Sequence, residues 1–361
     1  MPGKNGETKE FIWSGKRNKK WLYISLAAVV VVAGVLGFII FGFTPSLSEN
    51  NNSSEGINNE TAQVRRVLDG IYVTPGQENH YPVGVMIENL TIVRPQSGLV
   101  SANLVYEALA EGGITRFLAM YTGELNSITE IGPVRSARSY YIDWISEYNA
   151  LYLHAGGSPE ALANIKKYNT LDLDQFRNSQ YYQRDTGRQL AVEHNLFTSG
   201  EKIAFALRDK NLDGAGSFTA WKFKDDAATA SRPVTEKSIS IDFSSLNYKV
   251  EYKYDAVANN YLRYQGGEII KDKNGTEIRP KNVIVQRVKT QLVDKERLGM
   301  DTVGEGDAVI FRDGQTVIGR WKKEARTERT MYYDQDGNEV VFTAGQIWVE
   351  IVPTDRDVVY N

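Results

Sequence analysis

Nine short stretches between residues 235 and 361 read as β-strands: "SISIDF", "YKVEYKY", "NYLRY", "NVIVQRV", "DAVIFR", "TVIGRW", "TMYYD", "EVVFT" and "IWVEIVP". Each crowds β-branched and aromatic residues into a short run, often alternating with polar ones. "DKNGTE", "RDGQ" and "DQDGNE" separate several of them with the Gly, Asn and Asp chemistry of tight turns. A β-rich C-terminal domain is therefore expected over residues 235–361. No internal repeat of fixed period accompanies it.

The preceding region, residues 64–230, is patterned differently. "YPVGVMIEN", "ITRFLAMYTG" and "NALYLHA" read as strands. "SANLVYEALAEGG" reads as a helix capped by Ser101 and closed at Gly112 or Gly113. "IGPVRSARSYY" reads as the start of another, with Gly132-Pro133 as its opening signal. Ser158 and Pro159 open a third in "GGSPEALANIKKY", and "GEKIAFALRDKNL" is a fourth. Strands and helices in alternation predict an α/β (or α+β) N-terminal domain. "LDLDQFRNSQYYQRDTGRQLAVEHNLFTS" has no regular period and is long enough to be a functional loop region.

Ahead of both regions, "WLYISLAAVVVVAGVLGFIIFGF", Trp21 to Phe43, carries no charge and has about the length that crosses a bilayer. "KRNKK" precedes it, so a single transmembrane helix is expected, with residues 1–20 as a basic cytoplasmic tail and the folded part extracytoplasmic. Residues 44–63, Asn/Ser-rich and almost without apolar side chains, read as a flexible linker. The sequence has no cysteine, which excludes disulfides, thiolate metal sites, a cysteine nucleophile and a lipid-modified N-terminal cysteine within it. Residues 1–20 hold six Lys/Arg and two Asp/Glu, so they carry +4 of a chain whose net charge is −3, and the remainder is −7. An acidic body of this kind argues against a nucleic-acid partner.

The residues best suited to chemistry lie in "RPQSG", "EGGITR", "IGPVRSAR" and "HAGGSP". They supply Arg94, Arg116, Arg135, Arg138 and His154, several of them beside glycines. A guanidinium binds phosphate or carboxylate through two parallel hydrogen bonds. Gly156, Gly157 and Ser158 at a helix start would add backbone N–H groups, and His154 ends a strand just before them. Two cations at a helix N-terminus are electrostatically unfavourable and require a negative partner. That partner is either an external anion or an internal acid such as Asp143, Glu107 or Glu111, and the sequence leaves both open. His80, His154 and His194 are too scattered to indicate a metal site, and no cofactor is expected. No G-x-S-x-G, P-loop or H-E-x-x-H motif is present.

"RPQSGLVSANLVYEALAEGGITRF", "IGPVRSARSYYIDW", "LYLHAGGSP", "VIFRDGQTVIGRW" and "WVEIVP" resemble the YerB-like family of bacterial envelope proteins, whose domain has no assigned function. The resemblance covers nearly everything from about residue 68 onward. It implies a two-part extracytoplasmic protein, commonly a lipoprotein, and supplies no catalytic residues to carry over. The expected function is binding of an anionic, phosphate- or carboxylate-bearing envelope ligand, or of a membrane-protein partner, through the Arg/Gly/His face. A phosphotransferase or hydrolase acting on a cell-wall glycopolymer is the alternative. Its basis is an analogy of tethering and arginine use with the LytR-CpsA-Psr phosphotransferases. An assembly module with internal arginine ion pairs is a third.

Overall fold

The computed structural model describes residues 63–361, apart from Asp213 and Glu296. The basic tail, the Trp21–Phe43 run and the linker up to residue 62 lie outside the described residues. Among the described residues, no helix is long and apolar enough to cross a membrane.

Fifteen strands build the two main sheets. In chain order they are β1 (Val83–Glu88), β2 (Leu104–Leu109), β3 (Thr115–Tyr121), β4 (Leu151–His154) and β5 (Asp172–Asp174). These are followed by β6 (Ser238–Asp242), β7 (Lys249–Asp255), β8 (Asn260–Gln265) and β9 (Glu268–Ile269). The last six are β10 (Asn282–Val288), β11 (Gly304–Arg312), β12 (Gln315–Lys323), β13 (Met331–Asp334), β14 (Ile347–Pro353) and β15 (Val358–Tyr360). Three α-helices are present among the described residues: α1 (Ser139–Ser146), α2 (Pro159–Tyr168) and α3 (Gly200–Asp209).

One sheet has ten strands in the order β13-β12-β11-β10-β14-β2-β3-β1-β4-β5. The other has five, in the order β9-β8-β7-β6-β15, all antiparallel. The expected α/β (or α+β) N-terminal domain is thus corrected. The five strands of the first region are not a sheet of their own but half of one that the second region completes. The seam is β14, which runs parallel to β10 on one side and to β2 on the other. The architecture is predominantly β.

The first region's helices also differ from expectation. "LVYEAL" within "SANLVYEALAEGG" forms β2, buried at all six positions between β14 and β3. Leu, Glu and Ala favour helix in isolation, but burial on both faces of a sheet overrides so weak a preference. Residues 131–137 are not helical either. They run extended, bridged at Ile131 to Thr198, at Gly132 to Ser97, at Val134 to Ile87 and at Ala137 to Gly157. Helix α1 begins only at Ser139. The cap read at Ser158 is present, with its Oγ accepting from Ala161 N, and α3 is capped in the same way by Ser199 Oγ, which accepts from Lys202 N.

Alternation along the strands distributes the core to both faces of the large sheet. Met86, Tyr106, Leu118 and Ile284 pack with Trp144 and Ile145 of α1. Val85, Val105, Ala119 and Leu153 pack on the opposite side with Ile203 of α3. Val283, Val285 and Val352 meet Ile239, Val250 and Tyr252 of the small sheet. Gly84 lets α1 approach β1 closely, since a Cβ there would lie 2.2 Å from Ile145 Cδ1.

Two buried ionic networks cross the regions. Glu147, beyond the end of α1, receives Lys323 Nζ at 2.7 Å and Arg329 Nη1 at 2.8 Å. Glu107 of β2 pairs with Arg263 of β8 at 2.5 Å, both side chains fully buried. The β2–β14 register sets Glu350 directly beside Glu107. Burial, and then the Glu107 charge, push the Glu350 carboxyl well above the usual carboxylate range. Tyr252 donates its hydroxyl hydrogen bond to Glu350 Oε1.

A carboxyl raised in this way stabilises the fold fully below its unfolded value, and that contribution is lost as pH rises through the folded value. Glu350→Gln, which keeps an acceptor for Tyr252, should therefore flatten the fall in Tm on the alkaline side. Arg263→Met should cost about 3–5 kcal/mol at neutral pH by stranding buried charge. Thermal denaturation across pH checks both, and a Glu350→Gln curve that simply parallels the parent would contradict the protonated carboxyl.

Candidate functional site

The arginines of "IGPVRSAR" find internal acids. Arg138, at the N-cap position of α1, bonds Glu111 through Nε, and its Nη2 donates to Glu111 Oε2 at 2.7 Å. Arg116 on β3 reaches the same carboxylate at 3.2 Å and donates to Ser136 O at 2.9 Å. Arg135 pairs through Nε with Glu88 at 3.0 Å, and its Nη1 donates to Glu193 O at 2.8 Å. Glu88 also holds His194 Nδ1 at 2.8 Å. The unfavourable meeting of cations and helix N-terminus is thereby neutralised within the protein.

Burial alone would raise the Glu111 carboxyl, but the Arg138 hydrogen bonds and the Arg116 charge outweigh it and hold it below the usual range. Burial, then the Arg138 charge, lower the Arg116 guanidinium. Glu111 therefore separates two like charges as well as pairing with them.

The other predicted residues fall in three places. His154 is fully buried, with Nδ1 2.7 Å from Gly156 O and Nε2 3.1 Å from Asp172 Oδ2. Gly156 N donates to Asp174 Oδ1 at 2.9 Å, Gly157 bridges Ala137, and Ser158 N donates to Ala137 O. Arg94 lies apart, bonded to Asn89 and to Asn247 O, with its guanidinium over the Tyr248 ring. Of the eight residues singled out from sequence, Arg135, Gly156 and Gly157 line one cleft of about 450 Å³.

Much of the rest of that cleft comes from the end of β5 and the irregular stretch after it. Asp174, Gln175, Phe176, Arg184 and Glu193 all line it. Phe176 is 76 % exposed although its ring lies over the backbone of Gly156, where a Cβ would come within 3.1 Å of it. Gly156 has φ +62°, so glycine serves there both the turn and the ring. Leu162 and Val192 add further exposed apolar surface (39 % and 67 %), the first lining the cleft and the second next to Glu193. Arg184 donates to Val192 O and to Asn195 Oδ1 and, among the described residues, meets no carboxylate. Asp174 is occupied by the N–H groups of Gly156 and Phe176. The site combines an exposed ring with a guanidinium that carries no internal counter-charge. Sequence reasoning located the loop but not these residues; an aromatic inside a polar, aperiodic stretch was the available signal.

Two family models match this chain: "Protein of unknown function (DUF3048) N-terminal domain" over residues 68–213 and its C-terminal counterpart over residues 239–349. The chain belongs to the DUF3048, or YerB-like, family. It is 27% identical over 345 residues to a Bacillus subtilis (strain 168) protein named putative lipoprotein YerB, covering 93% of this chain and 96% of that one. The crystal structure of YerB protein from Bacillus subtilis superimposes with a TM-score of 0.71 at 26% identity, over 82% of this chain and 99% of that one. In this DUF3048 chain the β2–β14 seam joins the two matched segments in one sheet.

Removing Glu111 should cost more than removing either arginine, because it strands two poorly solvated cations. Glu111→Ala is expected to lose about 1–3 kcal/mol at neutral pH, and Arg138→Ala less. A carboxylate with a lowered pKa stabilises above its unfolded value and loses that effect as pH falls through the folded one. The gap between Glu111→Ala and the parent should accordingly narrow in acid. Denaturant midpoints at several pH values measure this.

Proposed function

We propose that this chain is a membrane-associated extracytoplasmic binding protein that holds a carboxylate-bearing glycan of the cell envelope in the Phe176 cleft. The observation that carries the reading is the pairing of an exposed Phe176 ring with Arg184 on one concave surface. The C–H face of a sugar ring stacks on an aromatic side chain. A sugar carboxylate accepts from a guanidinium in two-point fashion. Arg184 supplies that guanidinium without first breaking an ion pair, whereas Arg135 is already tied to Glu88. The relative named as a lipoprotein supports placement at the outer face of a membrane. His154, next to the cleft-lining Ala155, has both ring nitrogens committed to Gly156 O and Asp172, which favours binding over acid–base catalysis by that imidazole.

Calorimetric titration of the full-length chain with muropeptide fragments, a neutral chitin oligomer and a carboxyl-reduced sugar tests the reading. Saturable binding of the acidic sugar is expected, about tenfold weaker in each of Phe176→Ala and Arg184→Gln, and weaker with salt. Equal affinity for the neutral and acidic sugars, or no saturable binding by the parent chain, would remove the proposal.

A further inference from the structure

A second cleft, of about 490 Å³, lies on a different part of the molecule and shares no lining residue with the first. Its walls come from Gly112 and Gly113, from Ser244, from Thr290, Gln291, Leu292, Lys295 and Leu298, and from Pro353 at the end of β14 with Asp355 and Arg356 after it. We propose that this cleft binds a phosphate-bearing ligand, held by Arg356, Lys295 and the backbone of the Gly112–Gly113 turn. This site is additional to the Phe176 cleft and does not rest on the function proposed for it.

Arg356 lines the cleft, and its Nε is buried without a hydrogen-bond partner. Among the described residues the rest of its guanidinium meets no carboxylate or carbonyl oxygen, so its outer N–H groups can donate to an external acceptor without breaking an ion pair. The nearby acids do not satisfy it. Asp355, which also lines the cleft, acts with Asp307 and Asp357 on Arg287 instead, and among the described residues none of the three forms an ion pair with Arg356. Lys295 also lines the cleft and pairs with no described carboxylate. Gly112 and Gly113 both have left-handed φ, +64° and +73°. In this 3-10 turn Ala110 N bonds Ile114 O, Ile114 N bonds Glu111 O and the Gly113 N–H faces Ala110 O, which leaves the Gly112 N–H outside the turn's bonds. Nothing lies within 4 Å of where a Gly112 Cβ would project, so the turn opens to the cleft rather than to packed protein.

Two cations and the Gly112 backbone N–H suit a tetrahedral oxyanion, which offers acceptors in several directions. Glu111 does not compete, since its carboxylate is held by Arg138 and Arg116. Leu109, Leu292, Leu298 and Pro353 add apolar surface beside the polar lining residues, with Leu292 70 % exposed. A phosphate attached to an apolar chain fits that surface as well as a free phosphate fits the polar end.

Titration of the full-length chain with inorganic pyrophosphate at low salt tests the site. A parallel arm measures co-sedimentation with phosphatidylglycerol and with phosphatidylcholine vesicles. Expected is saturable binding in at least one arm, weakened about tenfold by Arg356→Gln and severalfold by the hairpin variant Lys295→Gln. Arg320→Gln, which removes an exposed cation paired with Glu305 elsewhere, should leave it unchanged, as should Arg184→Gln. Pyrophosphate binding alone identifies a free phosphate as the source, and binding confined to phosphatidylglycerol vesicles identifies a lipid headgroup. No saturable binding in either arm, or an equal loss in Arg320→Gln, overturns the site. Loss of acidic-sugar binding with pyrophosphate binding intact would count against the Phe176 cleft alone.

Discussion

The Arg263 guanidinium is the point on which the two sheets turn. It is fully buried, 2.5 Å from Glu107, 4.6 Å from the centre of the Trp348 ring and 5.6 Å from that of Phe117. Glu107 comes from β2, Trp348 from β14, Phe117 from β3 and Arg263 itself from the small sheet. One side chain thus joins both sheets across the seam. A buried cation tolerates no alternative partner, so it fixes how the sheets are stacked. It also fixes register. A one-residue slip between β14 and β2 would turn Glu350 to the opposite face from Glu107 and leave Arg263 with a different set of neighbours.

The same principle, charge satisfied inside before it is offered outside, shapes the surface. Arg116, Arg135 and Arg138 are placed where an anion could use them, yet Glu88 and Glu111 already occupy them. What remains accessible is less conspicuous: Phe176 resting on Gly156, Arg184 bonded only to neutral oxygens, and Arg356 lining a cleft without an internal counter-charge. Sites here are better recognised by what lacks a partner than by where arginines and glycines cluster.

This explains which parts of the molecule were legible in its sequence. The strands after residue 235 were, because their alternation and turn residues are local signals. Helices α2 and α3 were, because Ser158 with Pro159 opens the first within three residues and the second has helical apolar spacing of its own. β2 was not. Its "LVYEAL" is a helix-forming composition, and the decisive facts, β14 on one side and Arg263 above, lie more than 150 residues away. "IGPVRSAR" likewise owes its extended form to bridges with four separate segments. At the candidate site, Arg135, Gly156 and Gly157 line one cleft, while Phe176 and Arg184 belong to a stretch whose only sequence signal was irregularity.

Glu111 has a consequence for how the two clefts are separated experimentally. Its carboxylate binds Arg116 and Arg138, whose other donors hold Ser136 O and Ala137 O on the Phe176 side. Its backbone leads directly into Gly112 and Gly113 on the Arg356 side. Substituting any member of this trio disturbs the backbone of both clefts through lost support, so reduced binding in such a variant would not locate a ligand. Phe176 and Arg356 are free of that ambiguity. Each side chain lines one cleft only, and neither takes part in an ion pair that holds strands or helices together.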